Sequence, residues 1–274
     1  MDIPALLKKH GFSFSKKYGQ NFITDYNLLR AIVSDAGVTR GDTALEIGAG
    51  AGTLTRALAE SAGRVVAFEI DPSLSPVLDE SLAGLNNVEV IMDDVTKWTD
   101  AELDDLTGSD YKVVANLPYY ITTPLLFTFL ERENKPSSVT VMVQKEVAER
   151  ICATPEKGDY GALSVVVALR GKASITRIVK RDCFTPAPNV DSAVIRIDLD
   201  PAAPTDRSLY ELVAKSFAMK RKTLVNNLSA GYAIPKPFAA ELLVSLGFSP
   251  TVRAEQLAPS DFIRLDKAIK ENEN

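Results

Sequence analysis

Apolar positions along the chain fall into two regimes. From residue 25 to 153, compact apolar runs alternate with stretches of helical period. Asp25–Ala36 places Leu28, Leu29, Ile32 and Val33 on one stripe, with Asp25 as N-cap and Gly37 as the stop. Thr43–Ile47, Arg64–Asp71, Val88–Asp94, Tyr111–Ala115 and Ser138–Val143 read as buried strands. Thr53–Ala59, Thr122–Glu131 and Gln144–Ala153 read as the helices that follow them. That alternation predicts a parallel sheet. After a turn at Gly158–Gly161, the runs Ala162–Leu169, Ser174–Val179 and Ser192–Leu199 read as strands on short connections, an antiparallel edge. Residues 200–206, with Pro201 and Pro204, read as a linker. Beyond them Leu209–Phe217, Thr223–Leu228, Phe238–Leu246 and Pro259–Ile269 are purely helical. The pattern therefore predicts an α/β domain over 1–200, led by an N-terminal arm, and a small all-α domain over 206–274.

Composition narrows the function classes. The 274 residues are 46% hydrophobic and 24% charged, ordinary for a soluble globular protein. No run of about 18 apolar residues suggests a membrane span, and Met1–Lys9 lacks the apolar region of a signal peptide, so a cytoplasmic protein is expected. Cys152 and Cys183 match no metal-ligand spacing and His10 is the one histidine, so neither a His/Cys metal site nor a histidine-based triad is expected. The net charge of −5 argues mildly against a nucleic-acid partner. The charge is unevenly spread, however. Twelve acids over residues 69–110 face Lys97 alone, whereas Lys8, Lys9, Lys16 and Lys17 face only Asp2 in the first twenty residues, and Lys220-Arg221-Lys222 forms a second basic cluster.

The chemistry-bearing residues stand at the carboxyl ends of the predicted strands. Thr43–Ile47 runs into Gly48-Ala49-Gly50-Ala51-Gly52 and then into a helix, the context of a nucleotide-binding loop. Its G-x-G-x-G spacing, with an acid just before it, suits an adenosyl ligand without a pyrophosphate. Glu69 follows about twenty residues later, where an acid binds ribose hydroxyls. Asp94 ends the third strand, either to accept from an adenine amino group or to cap the next helix. The fourth strand runs into Asn116-Leu117-Pro118-Tyr119. Asn116 offers an amide carbonyl to an amine, Pro118 a backbone carbonyl exposed by a fixed turn, and Tyr119 a flat face for a planar base. Phe184 opens a loop stiffened by Pro186 and Pro188, either as a second stacking face or as a packed hydrophobe. Phe12, Phe14, Tyr18 and Phe22, interleaved with Lys16 and Lys17, read as a nucleic-acid arm or as a segment packed on the domain.

Taken in order, the tracts Tyr18–Ile23, Glu46–Thr55, Glu69–Asp71, Asp94, Asn116–Pro124, Gln144–Arg150, Phe184–Ser192 and Phe217–Leu224 resemble those of the KsgA-type small-subunit rRNA adenine N6-dimethyltransferases. The resemblance implies a Rossmann-like class I fold using S-adenosylmethionine (SAM) and no metal. It implies that Asn21 and Ile23 close over the methionine end above Gly48 and Gly50, that Glu69 holds the ribose, and that Asp94 holds the adenine amine. Asn116, also next to the cofactor, and the Pro118 backbone would orient the target amine, with Tyr119 and Phe184 on either face of the flipped base. The implied substrate is a pair of adjacent adenines in a hairpin near the 3′ end of 16S rRNA, in the assembling 30S subunit. The helical domain would help docking, and Lys16, Lys17, Lys220, Arg221 and Lys222 would meet RNA. The family also serves as a late assembly checkpoint. A monomer without membrane contact is expected.

Two departures stand out: Ala49 replaces a frequent proline, and the chain is more acidic than is usual. The alternatives are an Erm-type 23S rRNA methyltransferase, an N-methyltransferase on DNA adenine or a protein glutamine amide, and a non-catalytic assembly or transcription factor on the same scaffold. The loop at Phe184 and the helical C-terminal domain disfavour the second, and intact Glu69, Asp94, Asn116 and Tyr119 disfavour the third.

Overall fold

The computed structural model describes residues 2–14, 19–119, 121–132, 135–155, 159–204 and 206–273. The strands are β1 (Phe22–Ile23), β2 (Thr43–Ile47), β3 (Arg64–Phe68), β4 (Val88–Ile91), β5 (Tyr111–Asn116), β6 (Ser138–Gln144), β7 (Gly171–Val179), β8 (Phe184–Thr185) and β9 (Ser192–Leu199). The helices are α1 (Ile3–Lys9), α2 (Tyr26–Asp35), α3 (Thr53–Ser61), α4 (Ser75–Ser81), α5 (Asp100–Thr107), α6 (Thr122–Glu131), α7 (Lys145–Ile151), α8 (Ala162–Arg170), α9 (Arg207–Ser216), α10 (Leu224–Tyr232), α11 (Lys236–Ser245) and α12 (Pro259–Glu273).

The chain forms two compact units, Met1–Ala148 with Ser174–Pro201, and Glu149–Ala173 with Ala202–Asn274. The expected division at 200–206 is thus joined by an excursion over 149–173 that the hydrophobic pattern did not signal.

In the first unit, seven strands run in the order β4-β3-β2-β5-β6-β9-β7. Pairs β4·β3, β3·β2, β2·β5 and β5·β6 are parallel, and β9 joins β6 antiparallel with Ser192 opposite Gln144. The strands read as continuous apolar runs because both faces are covered: every residue of β2 after Thr43 and of β3 after Arg64 is buried. One core cluster packs Leu29, Ile32 and Val33 of α2 with Leu54 and Leu58 of α3. Asp25 caps α2 through bonds from the Asn27 and Leu28 N–H groups. A second cluster packs Ile3, Leu6 and Leu7 of α1 against Leu74, Val77 and Leu78 around α4. A two-strand ribbon, β1·β8, pairs Phe22 with Thr185 and Ile23 with Phe184.

In the second unit, α8 packs with α9 and α12, and α10 with α9 and α11. Leu209, Leu212, Leu224, Leu243, Phe262 and Leu265 are among its buried residues. Phe217 lies edge-on to Tyr160 at 6.3 Å and stacks on Phe262 at 6.0 Å. The expected strand over Ala162–Leu169 is instead the helix α8. Its apolar run carries no period because Val165, Val166, Val167 and Leu169 are all buried, and a run buried all round looks the same as a helix or as a strand. The local sign is Ser164, whose Oγ reaches back to the Gly161 N–H at 3.1 Å.

Candidate active site

Four strand ends meet at one edge of the sheet. β2 feeds Gly48–Gly52, β3 Glu69, β4 Asp93 and Asp94, and β5 the tetrapeptide from Asn116. The chain steps outward through β3 and β4, then returns to lay β5 on the other side of β2. This reversal is the switch point at which open α/β sheets hold ligands. A cavity of about 320 Å³ opens there, and Asn21, Ile23, Gly48, Gly50, Glu69, Asp94, Asn116, Pro118 and Tyr119 all line it. Residues far apart in sequence are therefore brought together as expected, with the exceptions given below.

The loop after β2 is tied to β3, because Gly48 and Ala49 donate to the Phe68 carbonyl at 2.8 and 3.0 Å. Gly50 has φ 57°, and a Cβ there would stand 2.9 Å from the Phe22 ring. A Cβ on Gly48 would meet no protein atom within 4 Å, so the space beside that backbone is open to a ligand. Glu69 is buried, and its Oε2 accepts from Gly50 N at 2.7 Å while Oε1 accepts from Ile70 and Asp71 N at 2.9 and 2.8 Å. Oε2, which accepts one bond, keeps lone-pair capacity for a ligand hydroxyl. Burial raises the Glu69 carboxyl above its usual range, and the three N–H groups oppose that rise.

Asp94 fulfils the capping alternative and still faces the cavity. Its Oδ1 accepts from Thr96 N at 3.0 Å and Thr96 Oγ1 at 2.7 Å, capping a short 3-10 turn, while Oδ2 accepts no bond among the described residues. The arm is anchored at the cavity rim. Gln20 Nε2 donates to Asp71 Oδ2 at 2.6 Å, and Asn21 Nδ2 to the Gly19 carbonyl at 3.0 Å. The Asn21 carbonyl in turn accepts from Asn116 Nδ2 at 3.0 Å. This bond assigns the two ends of the Asn116 amide: one Nδ2 hydrogen is given to the arm, and Oδ1 is left as an acceptor.

Two expectations need correction, and a third is only partly covered by the described residues. The Pro118 carbonyl accepts from Ile121 N at 3.1 Å and from Thr122 Oγ1 at 3.2 Å, because it closes the turn that starts α6. With both lone pairs engaged it is a poor acceptor for a ligand amine. Phe184 does not line the cavity: its ring is 4% exposed and packs in the core cluster with Ile23, Leu29 and Met142. Backbone pairing with Ile23 seats it there, so the packed-hydrophobe alternative holds. Lys16 and Lys17 lie outside the described residues. Lys220, Arg221 and Lys222 are exposed in the turn between α9 and α10 of the second unit.

Sequence reasoning read Glu46 only as the acid before the glycine loop, with no role of its own, and it missed the tie on Tyr119. Glu46 lines the cavity at 1% exposure; its Oε2 makes no hydrogen bond of normal geometry among the described residues, and the nearby Thr55 hydroxyl only partly offsets the cost of burial. Burial pushes its carboxyl up to about 8, and the Glu69 charge adds to the rise. An acid inside an otherwise apolar strand was the available signal. Tyr119, half-buried, bonds through its hydroxyl to Ser192 Oγ at 2.7 Å, a contact with no local sequence signal. Among the described residues, no group of three or more His, Cys, Asp or Glu side chains could hold a metal ion.

Comparison with known proteins identifies the chemistry this edge serves. A family profile described as "Ribosomal RNA adenine dimethylase" matches residues 11–270. The chain belongs to the ribosomal RNA adenine dimethylase family. Curated relatives agree with the profile. The ribosomal RNA small subunit methyltransferase A of Enterococcus faecalis is 44% identical over 280 residues, covering 97% of this chain and 94% of the relative. The protein of that name from Streptococcus agalactiae is 42% identical, covering 97% and 96%. Among solved structures, a dimethyladenosine transferase from Plasmodium falciparum has a TM-score of 0.77 at 25% identity, covering 91% of this chain and 98% of that one. The 23S rRNA methyltransferase ErmE has a TM-score of 0.68 at 26% identity, covering 91% and 99%. This dimethylase-family chain thus has the class I methyltransferase fold and is a SAM-dependent rRNA methyltransferase. Its cavity fits that donor on the structure's own terms. Gly48 leaves backbone open to a ligand, Glu69 and Asp94 present acceptors, and the buried Glu46 carboxyl on the cavity wall keeps an oxygen without a hydrogen-bond partner among the described residues.

Proposed function

We propose that this chain dimethylates the N6 amines of two adjacent adenines in a hairpin near the 3′ end of 16S rRNA, acting on the assembling 30S subunit as a cytoplasmic monomer. Near-full-length likeness to proteins named ribosomal RNA small subunit methyltransferase A favours the small-subunit target over the 23S target of ErmE.

One observation carries the chemistry: the Asn21 carbonyl holds Asn116 by Nδ2, which fixes the amide and leaves Oδ1 as the acceptor for a target amine hydrogen. SAM, when bound, supplies a methyl group already activated on its sulfonium, so no protein nucleophile is required. Asn21, Ile23, Gly48, Gly50, Glu69 and Asp94, which line the same cavity as Asn116, would hold the donor. Tyr119 stacks on the target adenine, which must be unpaired and splayed out to reach the pocket. Asn116 Oδ1 accepts one amine hydrogen. The second acceptor is the carbonyl of Leu117, another cavity-lining residue, since that of Pro118 is engaged. Accepting these hydrogens draws the nitrogen lone pair out of conjugation and aims it at the methyl group, so positioning and electrostatics carry the rate. A monomethylated amine still has one hydrogen for one acceptor, which permits the second transfer. Lys220, Arg221 and Lys222, with Lys16 and Lys17, contact RNA phosphates.

Tritiated SAM offered with undermethylated 30S particles, free 16S rRNA and 50S particles tests the assignment. Label in 16S rRNA of the particles is expected, and label confined to 23S rRNA rejects it.

A further inference from the structure

Tyr119 sits on an irregular segment just after a proline, where no ladder restrains its ring. A stacking face serves catalysis only if its plane is held within about 10–20° of the productive orientation. The far end of this ring is nevertheless tied: its hydroxyl bonds Ser192 Oγ at 2.7 Å. Ser192 is wholly buried, at 0% exposure. It opens β9 and pairs with Gln144, the last residue of β6. The preceding residue is fixed as well. The Asp191 carbonyl accepts from Lys145 N at 3.0 Å, and its carboxylate accepts from Lys180 Nζ at 2.7 Å and Arg181 N at 3.1 Å. The Ser192 hydroxyl is therefore a rigid point of the sheet rather than a mobile surface group.

We infer that Ser192 is a positioning residue that holds the far end of the Tyr119 ring, and so the ring's tilt, against the target base. This rests on the proposed stacking role of Tyr119 and adds to it why a tyrosine, rather than any flat ring, stands there. A phenylalanine would present the same face without the tether. Burial also raises the Tyr119 hydroxyl, so it remains a neutral hydrogen-bonding group through the physiological range.

The test compares Ser192→Ala, Tyr119→Phe, the double variant and Tyr119→Ala, in single-turnover and steady-state methylation of undermethylated 30S particles. SAM affinity and melting temperature are measured alongside. Ser192→Ala and Tyr119→Phe are each expected to lower kcat about tenfold, with KM for the particle and Kd for SAM within about twofold of wild type. Because both remove one bond, the double variant is expected to be no slower than either single. Multiplied losses in the double variant, or wild-type kcat in either single beside an inactive Tyr119→Ala, overturn the inference while leaving Tyr119 at the base. Wild-type kcat in Tyr119→Ala overturns the stacking role and this inference with it. A loss in Ser192→Ala that follows a lowered melting temperature and is absent from Tyr119→Phe marks a packing role and also overturns it.

Discussion

Asn116 offers one end of its amide to the cavity because the arm holds the other. Asn116→Ala should lower methyl transfer at least a hundredfold, on the order of 3 kcal/mol of transition-state stabilisation. SAM affinity should stay within a few-fold of wild type, because Glu69, Asp94 and the glycine loop are untouched. Equilibrium binding beside single-turnover rates checks this, and lost SAM binding would refute the division of roles. Glu46 makes a pH prediction. Its folded carboxyl stands at about 8 against an ordinary 4.5. Below the lower value both states hold the proton. As pH rises between the two, the unfolded chain releases its proton first, so stability of the SAM-free protein falls across that window. The fall amounts to a few kcal/mol in order of magnitude. Glu69 is displaced in the same direction, so Glu46→Gln should reduce the fall without abolishing it. Urea midpoints at pH 5 and pH 8 measure it, and equal slopes for both proteins would exclude a buried neutral Glu46.

At the scale of elements, strand–loop–helix at residues 43–61 is the unit on which the cavity depends. Gly50→Ala would force a Cβ to 2.9 Å from Phe22 at a left-handed φ of 57°. Destabilisation of about 1–3 kcal/mol is expected, with SAM affinity at least tenfold weaker, read by thermal unfolding and calorimetry. This unit was legible in the sequence because glycine spacing and an apolar strand are local signals. So were β5, β6, β9 and the helices after 206, within a few residues at their ends. Strand ends were less legible: Arg64–Asp71 was read as one strand, but the ladder stops at Phe68 and Glu69 turns back onto Gly50 N. Helices α4 and α5 were not anticipated, and α8 was read as a strand because full burial erased its period.

At the scale of the whole molecule, an acidic chain must bind a polyanion. With a net charge of −5 it cannot rely on overall attraction, so affinity rests on local clusters. Replacing Lys220, Arg221 and Lys222 together by alanine should raise KM for the 30S particle and flatten its salt dependence by up to about three counterions. The rate at saturation and SAM affinity should hold. Unchanged KM across salt concentrations would remove this tract from the RNA interface.

By itself the sequence determined the fold class, the glycine loop, and that Glu69, Asp94, Asn116 and Tyr119 stand at strand ends, because each of these depends on residue type and on spacing within a local strand–turn unit. The tertiary structure decided what depends on contacts between distant segments. Asn21 holds Asn116 across 95 residues of chain, and Ser192 meets Tyr119 across 73. The same packing took Phe184 into the core and the Pro118 carbonyl into the start of α6. Whether an aromatic ring stacks on a ligand or fills a core, and whether a carbonyl is open or engaged, depends on which neighbours the fold supplies.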